Sequence, residues 1–421
     1  MQRRNQLLAL FCVVVFFAFG VFYFRYWVIQ KPFGIVLFIA GGLDANRLAT
    51  ARLQARTADS VAQALALDSL PYTALLRNSS ADSALPDEAA AATALATGQK
   101  VKNGAIAIDA EGNPVATLVE VARDSGRMTG LVTNGDLTAT ALASFYAHAP
   151  ASVERAEFAR QLVDNAKIDV VLGRSPAEFL PHDQEGRRSD GRNLLEELSD
   201  DGYDLVQTLE ELDEIPRWRR AKLFGFLKNE QPNAANAADK ADEPSDLGAM
   251  VRRAIELLQF NRGGYLLIVD ASSLRNAIKE GDAQRITLAT LELDRAVAVA
   301  MEYSGTKSAI FVCGDVAMNT PAVGAGSSPA RTPAPVEPAP SMSQESAPSA
   351  GDADVETSVP DEEPSANPIP VSTPNIATVP GLLQMQQAPE DVLAFGKGLG
   401  ADALHGVLEN TALFEIIQDN L

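Results

Sequence analysis

Histidine and cysteine are scarce in this chain. Its 421 residues include three histidines (His148, His182, His405) and two cysteines (Cys12, Cys313). Two cysteines cannot frame a disulfide scaffold or a Cys-based zinc site. Three scattered histidines leave little for a His-rich metal centre. Positive charge is also short: Lys and Arg total 35 against 55 Asp and Glu, for a formal net charge of −20. A phosphate backbone must be met by cations, so no nucleic-acid partner is expected. Apolar residues are plentiful at 46%, enough for a sizeable core and incompatible with wholesale disorder. The length suits one large α/β domain with insertions.

The N-terminus differs from the rest. After residues 1–6, which carry Arg3 and Arg4, Leu7–Phe24 runs eighteen residues without a charge. As a helix at ~1.5 Å per residue this spans about 27 Å, near the thickness of a bilayer core. Tyr23, Tyr26 and Trp27 sit at its far end, where amphipathic rings favour an interface. A single-pass transmembrane anchor is expected over 7–27, with 1–6 in the cytoplasm and the main domain on the periplasmic or extracellular side of the inner membrane. A cleaved signal peptide is the alternative, although no small-residue cleavage site is evident.

From Pro32 onward, short apolar runs alternate with amphipathic stretches. Gly34–Ala40, Leu131–Thr133, Ile168–Leu172, Tyr265–Asp270, Ala309–Cys313 and Val392–Phe395 read as buried strands. Helices are expected over Val115–Asp124, Val153–Asn165, Leu247–Leu258, Ala283–Tyr303 and Thr411–Ile417. The alternation implies a doubly wound, mostly parallel sheet flanked by helices, with its site beyond the carboxyl ends of the strands. Two stretches interrupt the pattern. Asn229–Ser245 is polar and Ala-rich. Pro321–Thr378 holds half of the chain's 24 prolines with eight acidic residues and one basic one, Arg331, a composition expected to stay disordered. The α/β domain is therefore expected in two parts, 32–320 and 379–421, around an insert at 321–378.

Several segments then fall in a recognisable order: FIAGGLD (Phe38–Asp44), DEAAAATALATGQKVKNGAIAID (Asp87–Asp109), LTATALASFYAH (Leu137–His148), GRRSDGRNLLEEL (Gly186–Leu198), GYLLIVDASSL (Gly264–Leu274), SAIFVCGDV (Ser308–Val316) and EDVLAFGKG (Glu390–Gly398) with GVLENTALFEII after it. Together they resemble the alkaline phosphatase family. The resemblance implies that family's α/β fold. It also implies phosphomonoester hydrolysis through a phosphoserine, with two zinc ions and a magnesium stabilising the attacking and leaving oxygens and an arginine clamping the phosphoryl group.

The positions that would carry this chemistry are altered. The metal-bridging aspartate after the first strand corresponds to Gly41, and Asp44 nearby reads better as a helix cap. Asp87 is kept, but Glu88 stands at the nucleophile position. A carboxylate cannot form the phosphoserine, and its charge repels a phosphate dianion. The magnesium-ligand pair corresponds to Ala139 and Ala141. The clamp arginine corresponds to Ser152, unless Arg155 takes over from a longer loop. The motif of an acidic residue with ligands five and nine residues on gives Asp270, Arg275 and Lys279, two of them cations that oppose metal binding. The Asp-His pair gives Asp315 and Val316, and the last zinc histidine corresponds to Gln387. His148 lies outside the metal set and reads as structural; His182 and His405 read as surface residues.

The expectation is a membrane-anchored, non-catalytic member with a binding or scaffolding role and no cofactor. Asp270 and Asp315 are remnants of the metal site. The candidate cleft is Asp87, Glu88, Asp270, Arg275, Lys279 and Asp315. The alternative is a phosphomonoesterase with a rebuilt carboxylate site for Mg or Zn. A homodimer, usual in the family, stays open. A further expectation is electrostatic: Arg275 and Lys279 each face a carboxylate in the space the metals would fill, against the plainer alternative that both point into solvent.

Overall fold

In the computed structural model, ten strands form one sheet in the order β12-β2-β11-β10-β1-β9-β4-β6-β8-β7. Residues 2–23, 33–55, 64–217, 222–228, 246–318 and 390–421 are described. The strands are β1 (Gly34–Ile39), β2 (Tyr72–Arg77), β4 (Met128–Asp136), β6 (Val170–Arg174), β7 (Asp204–Val206), β8 (Leu223–Phe226), β9 (Tyr265–Asp270), β10 (Ser308–Cys313), β11 (Val392–Gly398) and β12 (Gly406–Glu409). A second, two-stranded sheet pairs β3 (Ala105–Ile106) with β5 (Ala149–Pro150). In the large sheet only β11 runs against its neighbours, β10 and β2; every other pairing is parallel.

Parallel strands need crossovers, and here helices supply them on both faces. In β1 and the residue after it, Ile35, Leu37 and Ile39 enter one hydrophobic core while Val36, Phe38 and Ala40 enter the other, all with no exposure. A strand buried on both faces reads as an unbroken apolar run, which is why GIVLFIA was legible. Helices Asp246–Leu258 and Ala283–Tyr303 cover one face through residues such as Met250, Ile255, Leu293 and Val297. The Ala-rich helix Glu88–Thr97 lies in the other layer, its residues after Glu88 all buried.

β1 sits between β9 and β10, with Ile39 level with Asp270 on one side and Cys313 on the other. The carboxyl ends of three central strands therefore open at one place, the crevice where α/β sheets carry ligands.

The N-terminal segment is a helix, Gln2–Tyr23. Its side chains at Leu10, Phe11, Val13, Phe16, Phe17 and Phe19 are exposed. Residues 24–32 lie outside the described residues, and among those described no helix is long and apolar enough to cross a membrane. The chain divides into two units, Met1–Pro321 with Met385–Leu421, and Ala322–Gln384. The second unit, the insert expected at 321–378 and the polar stretch 229–245 lie outside the described residues.

Candidate functional site

Asp270 is the last residue of β9 and Asp315 follows two residues after β10, so the sheet alone brings these carboxylates together. Both are buried, at 0% and 1% exposure. Helix Ser272–Glu280 starts directly after β9. Arg275 and Lys279 are four residues apart in it and so share a face. Glu88 opens the helix Glu88–Thr97 from the opposite layer.

Arg275 lies among all three carboxylates. Its Nη1 donates to Asp270 Oδ1 at 3.3 Å and its Nη2 to Asp315 Oδ2 at 2.6 Å. Its Nε stands 3.7 Å from Glu88 Oε1. Lys279 Nζ donates to Glu88 Oε2 at 3.0 Å. Both cations thus meet carboxylates rather than solvent, although Lys279 remains half exposed and Arg275 is 1% exposed. The remaining oxygens are also used: Thr133 Oγ1 donates to Asp270 Oδ2 at 3.0 Å, and the Val316 N–H donates to Asp315 Oδ1 at 2.7 Å.

Gly41, just beyond β1, completes the arrangement. A Cβ there would lie 2.5 Å from Arg275 Nε, 2.7 Å from Arg275 Nη2 and 2.7 Å from Asp315 Oδ1. Any side chain at 41, where the resemblance leads one to expect an aspartate, would compete with the Arg275 guanidinium for one volume. The absence of a side chain at 41 and the guanidinium at 275 are therefore sterically linked.

Burial pushes the Asp270 and Asp315 carboxyls up, with Arg275 working against that push. Asp315 adds to the rise at Asp270, and Glu88 to the rise at both. Burial also opposes charge on Arg275, but Asp315, Asp270 and Glu88 outweigh it and hold the guanidinium protonated. At Glu88, burial is outweighed by Arg275 and Lys279, so its carboxyl is held low. Three carboxylates against two cations leave one net negative charge.

The other expected positions have different uses. Asp87 is a helix cap: Oδ1 accepts from the Ala90 N–H at 2.8 Å and Oδ2 from the Gly104 N–H at 2.6 Å. Asp44 likewise caps the helix Ala45–Gln54, accepting from the Arg47 N–H at 2.7 Å. Ala139 and Ala141 offer no side-chain ligand, though the Ala141 N–H reaches Glu88 Oε1 at 3.4 Å. Ser152 is exposed, and Arg155 is half exposed and paired with Asp136 at 3.2 Å. Val316 is buried, and Gln387 lies outside the described residues. His148 bonds the Ala107 carbonyl at 2.8 Å and Glu120 Oε1 at 3.1 Å, while His182 and His405 are exposed.

The donor set does not suit the family's metals. A guanidinium stands between the two aspartates, and no histidine approaches them. Among the described residues, no group of three or more His, Cys, Asp or Glu side chains is disposed to hold a metal ion.

The family model for alkaline phosphatase matches residues 34–421. Alkaline phosphatase 4 of Bacillus subtilis (strain 168) is 30% identical over 225 residues, 52% of this chain and 46% of that protein. The tissue-nonspecific alkaline phosphatase of Gallus gallus is 27% identical over 328 residues, 66% of this chain and 62% of that protein. The chain thus spans about half of the first relative and under two thirds of the second. The alkaline phosphatase of Thermus thermophilus superposes with a TM-score of 0.68 at 21% identity, over 93% of this chain and 92% of that one. That of the Antarctic bacterium TAB5 gives 0.66 at 18%, over 93% and 98%. These two structures speak to the fold alone. Sheet order, matched span and related sequences agree: the chain belongs to the alkaline phosphatase family.

Proposed function

We propose that this chain is a non-catalytic member of its family, held at a membrane by its N-terminal helix, with its domain outside the cytoplasm in a binding or scaffolding role. One observation carries the loss of catalysis: Arg275, fully buried, bonds both remnant aspartates and fills the volume beside Gly41. Two divalent cations brought against that guanidinium would meet repulsion and a site with few ligands left. Glu88 at the nucleophile position supports the same reading, since its carboxylate is tied to Lys279 and offers no hydroxyl. Membrane attachment is supported by the exposure of apolar side chains along this helix, among them Leu10, Phe11, Val13, Phe16, Phe17 and Phe19.

The full-length protein, supplied with zinc and magnesium, should show no turnover of an aryl phosphate above buffer. Turnover abolished by Glu88→Ala would overturn the reading in favour of a rebuilt carboxylate site. For the anchor, the full chain should pellet with membranes and resist carbonate extraction. Recovery in the soluble fraction would contradict attachment.

A further inference from the structure

The Glu88 carboxylate is held as a bound anion is held. Its Oε2 accepts from Lys279 Nζ at 3.0 Å, and its Oε1 accepts from the Ala141 N–H at 3.4 Å. Oε1 also faces Arg275 Nε at 3.7 Å, too far for a hydrogen bond. That Nε is buried and has no hydrogen-bond partner. Glu88 is moreover the first residue of a ten-residue helix, whose dipole favours negative charge at that end, although the Ala90 N–H is already taken by the Asp87 cap. Three donors from two separate segments, the helix Ser272–Glu280 and Ala141, therefore surround one carboxylate, and the Arg275 Nε is left over.

An ordinary surface ion pair would be the plainer account of Glu88 and Lys279, and such pairs contribute little. The orphaned Nε separates the two accounts. Arg275 is fixed by Asp270 and Asp315 and is buried, so its unpartnered Nε stays within 3.7 Å of the Glu88 carboxylate position. A carboxylate has two oxygens and satisfies Lys279 and Ala141 with them. A tetrahedral oxyanion has more oxygens to offer, and could satisfy the third donor as well.

We propose that Glu88 is a resident anion: its carboxylate fills an oxyanion subsite formed by Arg275, Lys279, the Ala141 N–H and the helix start. The native chain thereby excludes free phosphate or sulfate from this subsite, and removing the side chain opens it. The inference rests on the reading above that no metal occupies the site. The charge balance agrees with it. With Glu88 present, three carboxylates oppose two cations and an incoming anion is repelled. Without it, two oppose two and the repulsion is gone.

The test is calorimetric titration of inorganic phosphate into full-length wild type, Glu88→Ala, Glu88→Gln and the Glu88→Ala/Lys279→Ala double variant, with melting temperature as a folding control. Glu88→Ala should bind phosphate at least about tenfold more tightly than wild type, equivalent to about 1.4 kcal/mol. Its melting temperature should rise with added phosphate. Glu88→Gln should behave as wild type, because the amide still fills the position, and the double variant should lose the gain. Equal affinity in wild type and Glu88→Ala would overturn the proposal. So would full binding by Glu88→Gln, which would make the effect one of distant charge rather than occupancy. Retained binding in the double variant would place the anion elsewhere and also overturn it. Should Glu88→Ala not fold, Glu88→Ser carries the same comparison. Zinc bound to wild type would sink the underlying reading instead, and elemental analysis of the same sample distinguishes the two failures.

Discussion

Replacing Arg275 by methionine keeps an unbranched chain of similar reach but removes the only cation bonded to Asp270 and Asp315 among the described residues. Both aspartates are almost wholly buried, so water cannot replace the lost partner. Removing one partner from a buried ion pair typically costs about 3–5 kcal/mol, because the other is left uncompensated. That loss should appear as a lower urea midpoint at pH 8. The pH dependence follows from the carboxyl shifts. In the folded chain burial already pushes both aspartates up, with Arg275 opposing, and in the variant that opposition is gone. The folded state then binds more protons than the unfolded state between the ordinary aspartate value of about 3.9 and the raised folded value. Stability held below that window is lost as pH rises through it. The deficit of the variant against wild type should therefore shrink between pH 8 and pH 5. A deficit under about 1 kcal/mol at pH 8, or one that widens on acidification, would refute the assignment of Arg275 as the internal counter-charge.

Gly41→Ala should cost about 1–3 kcal/mol, as overpacking does, since its methyl would lie 2.5 Å from Arg275 Nε and 2.7 Å from Asp315 Oδ1; in an Arg275→Ala background that cost should fall, leaving the part due to Asp315, and an unchanged cost would show that 41 and 275 do not share a volume. The His148 ring is held above its ordinary value: burial opposes protonation, but Glu120 and the Ala107 carbonyl outweigh it. Its stabilising contribution is full below about 6.5 and is lost as pH rises through the folded value. Glu120→Gln should lower the His148 midpoint in an NMR titration, and an unmoved midpoint would remove Glu120 as the cause.

Strands buried on both faces were legible because nothing polar interrupts them: Tyr265–Asp270 has the expected bounds, and Gly34–Ile39 ends one residue short of the expected run. The strands that escaped are Leu223–Phe226, buried but only four residues long with Gly225 inside it, and those whose pairing depends on distant partners. Tyr72–Arg77 mixes Thr and Arg with its apolar residues and is ordered between β11 and β12, while Gly406–Glu409 and Asp204–Val206 are short edge strands. Expected Val153–Asn165 is a shorter helix, Arg155–Gln161, that widens over Leu162–Ala166. At the site, it was the resemblance, through its motif of ligands five and nine residues after an acidic one, that singled out Arg275 and Lys279; on the helix leaving β9, Arg275 meets Asp270 and Lys279 meets Glu88. The dependence of Arg275 on a bare Gly41 could not be read, since the two residues are far apart in sequence and meet only where β1 and β9 end side by side.

The most direct test of Arg275 as a replacement for the metals is elemental analysis of the purified full-length chain after incubation with excess zinc and magnesium and removal of unbound ions. With the guanidinium lodged between Asp270 and Asp315, metal should be recovered far below one ion per chain, unchanged by Asp270→Asn or Asp315→Asn. Zinc retained at one or more ions per chain, and lost in either aspartate variant, would contradict the account.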